Sequence, residues 1–247
     1  MLNVAQGHEI WVLPEAGHAR AGHEARCRVY YGHAMRPDGL ADLARLSAWA
    51  VAPGGEKVSL KAEPGDNQFH LVAFMPGIRG FWAVTVENAV GPIAVTGGLY
   101  RRGTRKDYPD AREVGYYHQY AKTHFQVGHF CTACGGVEHP AETVCLGHDL
   151  ELVAEPGAHR VGDKLLLEVR YRGRPLPGAI VQATWSLREG KDWALGRRSD
   201  AAGRVQFVLE NPGHWLFYTR FADETLGKEG EYDKLVYSAT LSLFGVR

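Results

Sequence analysis

The sequence predicts an all-β fold of two β-sandwich domains joined by a His/Cys-rich connecting segment, and three observations predict it. Thirty glycines and twelve prolines interrupt the chain at short intervals. Between them lie short runs enriched in β-branched and aromatic residues, the pattern of strands in sandwiches and barrels rather than of helices. A chain of 247 residues with 45% apolar content has material for two ordinary hydrophobic cores.

Taken in order, strands are expected at Glu9 to Leu13, Glu24 to Tyr31, Ser47 to Ala52, Phe69 to Phe74, Gly80 to Glu87 and Ile93 to Gly97. Gly39 to Leu46 reads as a single helical turn, and Asp110 to Lys122 as a short helix or an irregular arm. Further strands are expected at Leu150 to Ala154, Lys164 to Tyr171, Ile180 to Ser186, Arg204 to Leu209, His214 to Phe221 and Leu235 to Leu243. Ser199 to Arg204 supplies Asp and Gly where a turn wants them. The tryptophans at 11, 49, 82, 185 and 215 fall at strand positions with core parity and read as packing.

The stretch from Tyr108 to Gly147 stands apart in holding His118, His124, His129 and His139 with Cys131, Cys134 and Cys145. The expected division is an N-terminal sandwich over 1–107, a His/Cys-rich arm over 108–147 packed on it, and a C-terminal sandwich over 148–247.

Composition narrows the function classes. Lys plus Arg and Asp plus Glu both total 28, so no basic surface of the kind that nucleic acid demands is expected. No run approaches the roughly 18 apolar residues of a membrane-crossing helix. A nucleophile elbow, a zinc-protease helix motif, a phosphate loop and a dinucleotide fingerprint are all missing, so the expectation is a protein that is not an enzyme. The opening Met1-Leu2-Asn3-Val4-Ala5-Gln6-Gly7-His8 ends in a small-x-small pattern, read as the stump of a signal peptide, hence an extracytoplasmic, periplasmic-type location.

His8 and His33 form the leading candidate metal pair. If Glu9 to Leu13 and Glu24 to Tyr31 are consecutive antiparallel strands, the start of one lies beside the end of the other. Both imidazoles then reach one end of the sheet, a nitrogen site suited to Ni(II), Cu(II) or Zn(II). Cleavage before His8 or before Gln6 would add an α-amine, a donor arrangement that suits Ni(II) and Cu(II). Met35, two residues beyond His33, is a softer auxiliary candidate. In the second cluster, His124 and Gln126 share one strand face and Phe125 and Val127 the other, which makes His124 and His129 ligand candidates and His118 a further one. Cys131 and Cys134, a C-x-x-C, read as disulfide partners of each other or of Cys27 and Cys145, with metal ligation as the alternative.

Two resemblances add to this. Residues 171–185 and 199–221, containing "YRGRPLPGAIVQATW" and "SDAAGRVQFVLENPGHWLFYTRF", resemble the transthyretin-like and carboxypeptidase-regulatory-like sandwich. In their order, "HEIWVLP", "VYYGHAM", "YHQYAK" with "VGH", and that C-terminal pattern are similar to the NikM-like domain-of-unknown-function family. The first resemblance implies immunoglobulin-like or transthyretin-like sandwiches. The second implies an extracytoplasmic protein that binds nickel and passes it to a membrane-embedded nickel/cobalt energy-coupling-factor permease, with His8 and His33 falling on the family's two histidines. A non-catalytic interaction module and a copper protein with an N-terminal histidine chelate are the competing readings.

Overall fold

The computed structural model describes residues 7–128, 145–190 and 192–247. Strands are numbered along the chain, and the described residues form three sheets. The first holds β1 (Glu9–Pro14), β3 (Ala25–His33), β8 (Phe69–Phe74) and β7 (Ala62–Pro64) in that order, with β4 (Arg36–Gly39) on β3. The second has ten strands. Its main path is β16 (Leu195–Arg198), β15 (Ile180–Trp185), β18 (Gly213–Asp223), β19 (Lys234–Val246), β11 (Glu113–Val127), β9 (Gly80–Thr96), β5 (Leu46–Val51) and β6 (Lys57–Leu60). β10 (Leu99–Arg102) joins β9, and β2 (His18–Ala19) joins β11. The third holds β12 (Leu150–Val153), β13 (Lys164–Tyr171) and β14 (Arg174–Pro175), with β17 (Arg204–Val208) on β13. The fold is an all-β sandwich, as expected. The helical turn near residue 43 is a 3-10 turn, Leu43–Arg45, whose N-cap Asp42 accepts from the Ala44 N–H at 3.1 Å. Among the described residues no helix is long and apolar enough to cross a membrane.

Two apolar cores result. One gathers Ile10, Val12, Val29, Val72, Trp82, Val84 and Phe125, and the other Leu150, Leu167, Phe207, Trp215, Phe217 and Leu241. β11 joins them. Its odd-numbered residues Ala121, Phe125 and Val127 enter the first core, while Tyr120 on the opposite face enters the second. β11 also pairs parallel with β19 over Gly115–Thr123 and antiparallel with β9, so the second sheet runs unbroken past both cores.

That strand corrects the expectation of a helix or loose arm at Asp110 to Lys122. Both faces of β11 are covered, so the polar-out, apolar-in alternation that reveals a half-exposed strand is absent from its first part, Glu113 to Lys122. The expected arm over 108–147 is therefore a central sheet strand over at least Glu113–Val127; residues 129–144, with His129, Cys131, Cys134 and His139, lie outside the described residues. The two strands expected at Gly80 to Glu87 and Ile93 to Gly97 are one, β9, which passes Gly91 at φ 86° opposite a register shift at Tyr117/Gln119. Trp11, Trp82 and Trp215 are buried, whereas Trp49 is half-buried and out of phase with the core alanines Ala48 and Ala50 on β5.

A buried ion pair locks the seam. Lys122 Nζ donates to Glu151 Oε1 at 2.7 Å, and Glu151 also accepts the N–H groups of Leu146 and Gly147. Burial works to raise the Glu151 carboxyl, but Lys122 and the backbone donors outweigh it and hold it below the ordinary carboxylate range.

Candidate metal centre

β1 and β3 form the antiparallel pair that the strand pattern suggested, with Glu9 opposite Gly32. β3 then turns into β4 through two residues, Ala34 and Met35, both at positive φ (44° and 66°), between the paired residues His33 and Arg36. Positive φ at both central positions is the geometry of a type I′ hairpin, whose twist matches that of the strands. Glycine is required just before it. A Cβ on Gly32 would lie 2.1 Å from the Arg36 carbonyl oxygen, and that neighbour is backbone that cannot swing away. Gly32→Ala is therefore expected to destabilise the fold by about 2 kcal/mol, visible as a lower urea midpoint.

The turn places His33 against His8, with ring centroids 4.6 Å apart, and Tyr31 also stacks on His8 at 4.8 Å. β4 brings a third donor, Asp38. Its carboxylate lies 3.0 Å from His8 Nε2 and 3.7 Å from His33 Nε2. One ligand atom from each of His8, His33 and Asp38 lies within 4.8 Å of the others, and the three side chains are 38–45% exposed. Two ligands of one ion with bonds of roughly 2.1 Å stand about 3 Å apart, so these exposed side chains need only small rotations to close on a cation. Burial, and then the neighbouring His8, depress the His33 imidazole below its ordinary value, which leaves a lone pair free at neutral pH.

Beneath the pair sits Glu9, 1% exposed. Its Oε2 accepts the Ala34 N–H at 3.0 Å and so pins the turn to β1. Its Oε1 has no hydrogen-bond partner and stands 3.9 Å from His33 Nδ1. Burial pushes this carboxyl up to about 8. An acid whose pKa is raised on folding costs stability as pH climbs from its unfolded value near 4.5 towards 8. Glu9→Gln is accordingly expected to stabilise the metal-free protein by about 2 kcal/mol at pH 8 and by little at pH 4.5, as measured by urea unfolding at the two values.

The other candidate residues lie elsewhere. Gln119 donates to the His8 carbonyl oxygen at 2.5 Å. His124 is five residues further along the same extended strand, about 16 Å away at the usual rise, so it cannot complete the His8 and His33 site as expected. His118 stacks on Tyr237 at 5.7 Å and lies tilted against Tyr116 at 5.1 Å, and it is likewise outside the donor group. Met35 packs beside Trp11, Leu13 and Leu216. Cys27 is fully buried in the first core and Cys145 is exposed beside Arg170, and the two are free thiols rather than partners of one another.

A family model described as "Domain of unknown function (DUF4198)" matches residues 5–223. No curated protein matches the sequence. Among solved structures, the chain is similar to a DUF4785 family protein from Legionella pneumophila at 11% identity and TM-score 0.32, covering 91% of this chain and 53% of that one. It thus spans about half the length of that protein. It is also similar to Salmonella alpha-2-macroglobulin at 13% identity and TM-score 0.30, covering 97% and 15%. A third likeness is to an Escherichia coli adhesin, FdeC, at 14% identity and TM-score 0.26, covering 93% and 63%. Scores this low carry no argument about function.

Proposed function

The chain belongs to the DUF4198 family, and on that premise we propose that it is a non-catalytic, extracytoplasmic protein that captures a divalent transition metal ion, nickel first, for a membrane transporter. The observation that carries this reading is the meeting of His8, His33 and Asp38 at one strand end. Two imidazole nitrogens and one carboxylate oxygen suit Ni(II), Cu(II) and Zn(II), with water in the remaining positions. Nickel takes precedence through the similarity to the NikM-like family, and so does the partner, an energy-coupling-factor permease for nickel or cobalt.

The donors' exposure fits a carrier rather than a structural site, which would close four protein ligands around its ion. Glu9 fits the same purpose. A carboxyl group bonded to the far nitrogen of a ligating imidazole fixes the ring's tautomer and direction, and Glu9 Oε1, 3.9 Å from His33 Nδ1, is one small shift away from that bond when an ion binds.

The reading is tested by radioactive nickel uptake in cells that depend on this protein. Uptake should fall to the level of the deletion when His8→Ala and His33→Ala are combined. Undiminished uptake with the double variant would refute the capture role.

A further inference from the structure

Seven buried side-chain nitrogens and oxygens among the described residues lack a hydrogen-bond partner, and three of them gather at one place far from His8: His124 Nδ1, His124 Nε2 and His159 Nε2. Both rings line a cavity of about 440 Å³, together with His18, Phe125 and Phe244. β11 supplies His124, only 9% exposed, and the segment after β12 supplies His159. That segment is tied to the end of β19 by the Arg247 N–H to His159 carbonyl bond and the Val161 N–H to Arg247 carbonyl bond. The arrangement is therefore held by backbone.

A buried imidazole nitrogen with no partner destabilises the fold, and two rings that leave three nitrogens unmet at one cavity are poised for a ligand. Burial depresses both imidazoles, His124 to about 3, so they offer lone pairs and not the imidazolium charge that an anion would seek. Among the described residues the cavity's lining holds no Asp or Glu side chain to balance a doubly charged ion, and the nearest carboxylates, Asp163 and Glu155, act on His159 from outside that lining and offset the charge of Arg160 and Arg247, which do line it. Phe81, Phe125 and Phe244 also line the cavity, and apolar surroundings disfavour high charge.

We propose that His124 and His159 form a second metal site, selective for a monovalent d10 ion of the Cu(I) class, which two imidazoles can satisfy. This site is independent of the divalent site at His8 and His33 and does not rest on it.

Silver(I) nitrate in chloride-free buffer is a redox-inert probe of this class. The full-length chain, labelled with 15N in histidine, is titrated until the thiols are saturated and beyond, and the ring nitrogens are followed by 1H–15N correlation. Signals of His124 and His159 should shift together, and His159→Asn should weaken silver binding at the His124 ring at least tenfold while leaving Ni(II) affinity unchanged. His124→Gln should do the same at His159, and the shifts should persist in the His8→Ala, His33→Ala protein. Unmoved His124 and His159 signals at saturating silver would overturn the proposal, as would shifts at His124 that survive His159→Asn undiminished.

Discussion

Replacing His8 and His33 together by alanine is expected to weaken Ni(II) binding at least 100-fold, about 2.7 kcal/mol, in a calorimetric titration. Both rings are on the surface of the strand pair, against Tyr31, Asp38, Glu9 and each other among the described residues, so their loss should leave the fold intact. Asp38 alone would remain, and one exposed carboxylate has little claim on a hydrated cation. Binding should also weaken as pH falls, because imidazoles must be free of protons to ligate. Since burial and His8 already hold the His33 ring below its ordinary value, the decline should set in at a lower pH than for a fully exposed histidine pair. Unchanged affinity in the double variant would remove both residues from the site.

The second large effect concerns the seam between the two cores. Glu151→Ala is expected to destabilise the protein by about 3–5 kcal/mol, because it takes the carboxylate partner from Lys122, 2% exposed, and leaves its charge buried. It also orphans the N–H groups of Leu146 and Gly147. Combining Lys122→Met with Glu151→Leu should recover at least 1 kcal/mol of that loss, since removing both partners removes the desolvated charge. Urea unfolding measures both. The pair's stabilisation is also pH-dependent. A carboxyl held low in the fold stabilises above its unfolded value and loses that contribution as pH falls below it, so the wild type's advantage over Glu151→Ala should shrink in acid. A single variant as stable as the wild type would mean that the pair does not lock the seam.

His8 and His33 were legible in the sequence because their meeting depends on one local hairpin, whose two strands alternate clearly. Asp38 was not singled out, although it lies only five residues past His33. What places it is the two-residue turn through Ala34 and Met35, and neither residue announces a positive φ. Glu9 carried a usable signal, an acid opening the strand Glu9–Pro14 in which every residue is buried, but burial on both faces is a property of the assembled sheets. The same holds for β11. Lys122 and His124 look like surface residues until the second core closes over that face, and His159 looks like a turn residue until the end of β19 pins it. Local pattern thus revealed what local pairing builds, and it was silent where distant segments supply the burial.

The most direct measurement is X-ray absorption of the Ni(II)-loaded full-length chain. The account predicts a first shell of nitrogen and oxygen only, with outer-shell scattering from two imidazoles that disappears in the His8→Ala, His33→Ala protein. Sulfur in the first shell, which would move the ion to the cysteines, or an imidazole signal unaffected by the double substitution, would contradict it.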